Sequence, residues 1–256
     1  MRRWLFIVVV LLSATPARAA DVAPGDTAAV RQVIDGDTLV LDSGESVRLA
    51  GIQAPKLPLG RPDFAEWPLA EAARAALSEI TQGQSVTLSY GGARADRYGR
   101  LLAQLHRQRD GAWIQGEMLA RGMARVYTFS DNRALAAEML AIETAARAAN
   151  RGIWGHEFYA VRGVAELDRL IDSFQVIEGK ILNSAKIRDY IYLNFGADYR
   201  TDFTVSVHKR DWRRFESAGV DPMQWSGRKV RVRGWLDKRN GPMIEITHPE
   251  QIELLP

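Results

Sequence analysis

Two short groupings carry most of the chemical potential of this chain. Asp35-Gly36-Asp37 sets two carboxylates around a glycine, and Asp96-Arg97-Tyr98-Gly99-Arg100 sets two guanidiniums in a compact polar run. Arg48 and Lys56 fall between them. Carboxylates can hold a cation, whereas a guanidinium offers a planar fork that contacts two phosphate oxygens and stays charged. Cleaving a phosphate ester needs stabilisation of the developing negative charge and a group that takes a proton from water. Each grouping also has a plainer reading. Asp-Gly-Asp between strands commonly makes a turn, in which Asp bonds backbone and Gly supplies a positive φ. The second run reads as a surface loop whose internal ion pair is worth little. The order and spacing of the whole set, rather than any single member, favours a site.

The elements able to hold these groups follow from periodicity and punctuation. Residues 28–34, 38–42 and 46–52 read as strands, broken at Gly36 and Ser43-Gly44 as hairpins are. An irregular proline-rich loop covers 55–67. Pro68 opens a helix whose apolar face is Leu69, Ala72, Ala73, Ala76, Leu77 and Ile80, and Gly83 ends it. Strands follow at 85–90 and 101–106, with 91–100 as the loop between them. A short helix at 114–122, a short strand at 124–127 and a longer helix at 132–149 complete the unit. After a linker at 159–172, a second unit repeats the order. Its strands are 174–182, 190–195 and 203–207, its helix 209–219, and its last strands 228–236 and 243–254. No sequence repeat at a fixed period accompanies this likeness of order. Within 228–233, alternation places Val230 and Val232 in a core, with Arg231 and Arg233 on an outer, solvated face.

The fragments Val33-Ile34-Asp35-Gly36-Asp37-Thr38, Arg48-Leu49, Pro55, Asp96-Arg97-Tyr98-Gly99-Arg100 and Gly152-Ile153-Trp154 occur in a fixed order. With them the chain resembles the staphylococcal nuclease (thermonuclease) family over roughly residues 28–155. The resemblance implies an α+β fold, a five-stranded OB barrel with helices over 28–158. The element order extends the expectation to a second, smaller OB-like β domain over 173–256. The resemblance also implies roles: Asp37 as a calcium carboxylate, Arg48 and Arg100 as catalytic phosphate clamps, and Tyr90 and Tyr98 at nucleotide-contacting positions. Aromatic rings there can stack on bases, although tyrosines on barrel strands equally serve as packing.

Two positions depart from the family pattern. Gln53 stands where the second calcium carboxylate is expected, and Lys56 where the catalytic Glu is expected. The spacing from Arg48 to Pro55 leaves no gap through which an acid could slide into place. Gln53 can still offer calcium an oxygen, but without the formal charge the site is expected to be weakened. Asp to Gln adds one positive unit and Glu to Lys adds two, which favours phosphate and disfavours a cation. Lys56 is either a sign of lost catalysis or a fixed ammonium that takes calcium's place beside the phosphate. The expectation is a nuclease-type protein acting on nucleic acid phosphodiesters, preferably single-stranded DNA or RNA, with weakened or absent calcium dependence. The alternative is a catalytically degenerate nucleic-acid- or phosphate-binding protein of the cell envelope.

The N-terminus adds an address. Arg2-Arg3, an apolar run over 4–12 and Ala17-Arg18-Ala19-Ala20 form the pattern of a cleaved signal peptide over 1–20, which predicts export to the periplasm or medium. The run is too short to span a bilayer, which takes about 20 residues. The whole chain has 34 basic and 31 acidic residues; without the three arginines of 1–20 the basic count is 31, so the remainder is formally neutral. Attraction to a polyanion must therefore come from local clustering. There is no cysteine, so disulfides contribute nothing. No pair of the four histidines has metal-ligand spacing. A composition 46% hydrophobic and 25% charged excludes a disordered or fibrous chain.

Overall fold

The computed structural model describes residues 22–165 and 167–256; the signal-peptide segment expected over 1–20 lies outside them. The first unit is a closed barrel built from β1 (Ala23–Asp35), β2 (Thr38–Leu41), β3 (Ser46–Leu49), β5 (Ser85–Tyr90) and β6 (Leu101–Arg107), in the order β1-β2-β3-β6-β5. A two-residue strand, β4 (Ile52–Gln53), lies outside it and pairs with β7 (Arg125–Val126). Closure depends on β1. Its first half pairs with β5 and its second with β2, with register shifts that let one strand bend around the barrel. Between β3 and β6 the pairing is parallel, and the other barrel pairs are antiparallel.

Alternation along these strands sends Val30, Leu39, Leu41, Val47, Leu49, Val86, Leu88 and Leu105 into one core. Helix α1 (Ala70–Thr81) covers that core with Ala73, Leu77 and Ile80. Helices α2 (Ile114–Ala120) and α3 (Ala136–Ala148) pack beside each other and add Ile114, Met118 and Met139 to it. Both α1 and α3 begin later than the periodicity predicts. Leu69 and Leu135, the residues before them, are left-handed (φ 65° and 60°), so the helices start only after those turns.

The second unit repeats the topology. It comprises β8 (Ser173–Lys180), β9 (Asn183–Ile187), β10 (Tyr190–Asn194), β11 (Thr204–His208), α4 (Lys209–Ser217), β12 (Lys229–Arg239), β13 (Gly241–Glu245) and β14 (Ile252–Leu254). The hydrogen-bonded path runs β9-β10-β11-β13-β12, and β8 pairs along β12. Only Ile181 and Leu182 separate β8 from β9. Their amides donate to Arg228 and Asn194, so the two strands act as one bent strand that brings the ends of the path together. Parallel pairing of β11 with β13 matches that of β3 with β6. This is the OB-like plan expected. The expected strand over 243–254 is instead split into β13 and β14 by a tight turn at Pro249–Gln251. Strand β9 escaped notice because Asn-Ser-Ala-Lys-Ile buries no side chain fully and shows no apolar alternation.

The two barrels meet through buried charge. Arg233 is 1% exposed, which corrects the solvated outer face expected for it. It does point out of its own barrel, but into Glu143 of α3, at 2.9 Å, and Glu253 of β14, at 2.8 Å. Glu143 also accepts from the Val126 amide and from Arg147. Burial would raise the Glu143 carboxyl, yet Arg233 and these donors hold it below its ordinary range. Arg133 binds Glu250 with two nitrogens, and Thr128 Oγ1 meets His248 Nε2 at 2.8 Å. The linker is also laid on the second barrel, its Arg162 exchanging backbone hydrogen bonds with β8. Among the described residues no helix is long and apolar enough to cross a membrane.

Candidate nucleic-acid site

The site grows from the tight turn between β1 and β2. Asp35 Oδ1 accepts from the Asp37 amide at 3.0 Å, the local bond expected of Asp in a turn. Gly36 is required there by space. A Cβ would come within 2.6 Å of the Ala54 Cβ and 2.7 Å of the Ala73 Cβ. The loop after β4 and helix α1 are thereby pressed against the turn, and the Ala54 amide donates to Asp37 Oδ2 at 2.7 Å.

Asp37 is fully buried, and its carboxylate is saturated. Lys56 Nζ lies 2.6 Å from both of its oxygens and 3.3 Å from Asp35 Oδ2. Arg48 Nη1 lies 3.1 Å from Oδ1, and Thr38 Oγ1 donates at 3.2 Å. Burial alone would raise the Asp37 carboxyl. Arg48, Lys56 and the hydrogen bonds outweigh burial and hold it far below the usual carboxylate range. Asp35 moves the other way: burial and the neighbouring Asp37 charge raise it, and Lys56 offsets only part of that. Arg48 is fixed on β3 by donating to the Leu49 and Ile52 carbonyls, at 3.1 and 2.7 Å.

Arg100 sits at the end of the 96–99 turn, where Asp96 accepts from its amide, Nε and Nη2. The Asp96 carboxyl is accordingly lowered despite partial burial, chiefly by Arg100. Arg48 and Arg100 line one cavity of about 560 Å³, together with Tyr98, Tyr127, Phe129 and Asp131. Tyr98 is 69% exposed and Phe129 53% exposed, and the Arg97 guanidinium lies over the Tyr98 ring, 4.8 Å from its centroid.

Two of the expected contacts fall elsewhere. Tyr90 does not line this cavity. It is 8% exposed in the barrel core, its ring close against Gly25 and beneath Arg94. Gln53 is turned away from Asp37. Its Oε1 accepts from Arg125 Nε and Nη2 at 2.9 and 2.7 Å. Arg125 is buried, lies 4.4 Å from the Phe174 ring of the second barrel, and is pushed down to about 10 by that burial. Sequence reasoning did not find Arg125, Phe129 or Asp131. The signal for Arg125 was a charge inside a short buried strand, but its partner is 72 residues away.

These residues do not fit calcium, which takes six to eight oxygen ligands. The fully buried Asp37 carboxylate is occupied on both oxygens by an ammonium, and the Gln53 oxygen is committed to a guanidinium. Among the described residues no group of three or more His, Cys, Asp or Glu side chains could hold a metal. What the arrangement can do is receive an anion. Asp35, Asp37, Arg48 and Lys56 form a formally neutral cluster of which Arg48 reaches the cavity, and Arg100 with the exposed aromatics lines it as well.

Comparison with known proteins converges on the same region. Residues 46–156 match the family model described as staphylococcal nuclease homologue. The chain is 33% identical over 116 residues to a thermonuclease from Staphylococcus intermedius, which covers 42% of this chain and 64% of that protein. It is 31% identical over 115 residues to a probable staphylococcal-like nuclease from Oryza sativa subsp. japonica, covering 45% of this chain and 30% of that one. The chain thus spans less than two thirds of the length of either relative.

Proposed function

We propose that this chain, whose residues 46–156 form a staphylococcal nuclease homologue domain, is an exported protein that engages single-stranded DNA or RNA through its phosphodiester backbone without calcium. The observation that carries the reading is the Lys56 ammonium, 2.6 Å from both oxygens of Asp37. It supplies a fixed positive charge where a carboxylate would otherwise recruit a cation. Arg48 and Arg100 then act as phosphate donors from two sides of the cavity, and Tyr98 and Phe129 offer faces on which bases stack. Binding is favoured over calcium-dependent cleavage because the expected base position holds Lys56, an acid's opposite. A second reading, hydrolysis without calcium, is favoured by Asp131, a carboxylate in the same cavity wall that can take a proton from water.

Incubating the purified protein with labelled single-stranded DNA and RNA, in calcium and separately in chelator, tests this. Salt-sensitive binding of equal strength in both, weakened in Arg100→Ala, with the oligonucleotide recovered intact, is expected. Product in both conditions supports the second reading. Product formed only with calcium, or no binding in either, refutes both.

A further inference from the structure

We infer that the second barrel carries a separate site for single-stranded nucleic acid, on the outer face of β9, β10, β11 and β13. It shares no residue with the cavity of the first barrel. Strand register builds this face. Asn183, Asn194, Thr204 and Met243 are successive cross-strand partners, forming one row over four strands. Ala185 and Tyr192 begin the next row, and Ile187 and Tyr190 the one after. Intervening residues Ile191, Leu193, Val205, Val207 and Ile244 fill the barrel core, so the pleat sends the named rows outward.

A cavity of about 540 Å³ opens on these rows, within the range of small-ligand sites. Ala185 leaves its floor open beside Tyr192. The loop between β10 and β11 forms one rim and sets Tyr199, 55% exposed, over it. That loop is built rather than loose. Asp198 accepts from the Thr201 and Asp202 amides through its carbonyl, and Asp202 Oδ2 accepts from the Asp198 amide at 2.8 Å. Gly241 lies so close to Thr201 and Asp202 that a Cβ would meet their backbone at 2.6 Å. The hairpin between β12 and β13 forms the other rim with Arg239 and Asn240.

The lining chooses the ligand. It contains one guanidinium, three asparagines and two tyrosines, and no carboxylate. Among the described residues, the polar side-chain atoms of Asn183 and Tyr192 have no hydrogen-bond partner. Carboxamides present a donor and an acceptor side by side, which suits the edge of a nucleobase, and tyrosine faces suit its ring. Tyr190 and Tyr192 already lie stacked at 5.6 Å, extending the aromatic surface along the strand. Arg239 is the phosphate partner; Glu245, at 3.7 Å, is its nearest acid and is shared with Arg210. A base recognised between Tyr192 and Tyr199, with its phosphate toward Arg239, meets each of these groups.

Titration of a labelled hexathymidylate into the full-length protein, at concentrations above the dissociation constant, reads the number of sites. Two per chain are expected. The double variant Tyr192→Ala/Arg239→Ala is expected to lose one and keep the other, and Arg48→Ala/Arg100→Ala the reverse. Loss of one stacked base corresponds to about 5- to 150-fold weaker binding at the affected site. Tyr199→Ala, on an exposed loop residue, is expected to weaken the same site and guards against a folding defect in the strand variant. A single site lost only in Arg48→Ala/Arg100→Ala overturns this inference and leaves the reading of the first barrel intact. A single site lost only in Tyr192→Ala/Arg239→Ala and in Tyr199→Ala supports this one and overturns the other. Two sites that survive Tyr192→Ala/Arg239→Ala, or no binding at all, overturn it.

Discussion

Replacing Lys56 with Met keeps the aliphatic stem and removes the ammonium from the buried acidic pair. Asp37 is fully buried and Lys56 one-fifth exposed, and their atoms are 2.6 Å apart. Removing one partner of a buried ion pair costs about 3–5 kcal/mol, because the other charge is left uncompensated. Arg48, Thr38 and the Ala54 amide remain on Asp37, and Lys56 is partly solvated, so about 2–3 kcal/mol is expected at pH 7. The deficit depends on pH. The folded pKa of Asp37 lies below its unfolded value of 3.8, so it contributes stability above about pH 4 that is lost only well into acid. Without Lys56 that depression shrinks. Asp35, already raised by burial and by Asp37, loses its nearest cation and rises further. Its ionised form then opposes folding at neutral pH, a penalty relieved as it takes a proton. Urea unfolding of Lys56→Met and the natural chain at pH 7 and pH 4 therefore gives a gap that narrows in acid. A loss below about 0.5 kcal/mol at pH 7, or a gap independent of pH, refutes the reasoning.

Placing the carboxylates of the thermonuclease pattern in Gln53→Asp/Lys56→Glu is expected to produce calcium-stimulated cleavage of single-stranded DNA. A general base is worth ~10²–10⁴-fold, and a folded double variant without that gain contradicts the derivation of the site. Arg233→Met leaves Glu143 buried with Arg147 as its remaining cation, and is expected to destabilise the chain by about 3–5 kcal/mol. Calorimetry should also move the unfolding of the two barrels apart in temperature, since the buried Arg233–Glu143 pair between them is gone while Arg133–Glu250 still links them. His248 is pushed down to about 4, mainly by burial, against an ordinary value of 6.5. The unfolded chain protonates first, so about 3 kcal/mol of stability is lost as pH falls from 6.5 towards 4. His248→Gln should flatten most of that slope in acid denaturation curves; His106, also lowered by burial, leaves a remainder.

Local patterns were the legible part of this chain. The first barrel announced itself because its strands are short apolar-rich runs, as in Ser46–Leu49 with its buried Val47 and Leu49, and its turns carry glycine, as at Gly36. For Tyr90, where base stacking and packing were both open, the strand face decides for packing. Tyr90 shares the strand face of Val86 and Leu88, both buried, and so belongs in the core. The Asp37–Arg48 pair was accessible because adjacent strands bring it together, Thr38 being the register partner of Arg48. The contact of Lys56 with Asp37 was not, since an irregular loop sets where that side chain goes. Gln53 and Arg125 meet only through pairing of the two-residue strands β4 and β7, too short to leave a periodic signal. Arg233 lay on the side of β12 that alternation indicates. Its burial depends on docking with the other barrel, which no local pattern encodes.

Calorimetric titration of calcium into the purified protein tests the central claim most directly, that the Lys56 ammonium holds the place of a cation on Asp37. The account predicts no saturable binding up to about 1 mM, the weak end of protein calcium sites, and its appearance in Gln53→Asp/Lys56→Glu. One calcium bound per natural chain below that concentration, and abolished by Asp37→Asn, would contradict it.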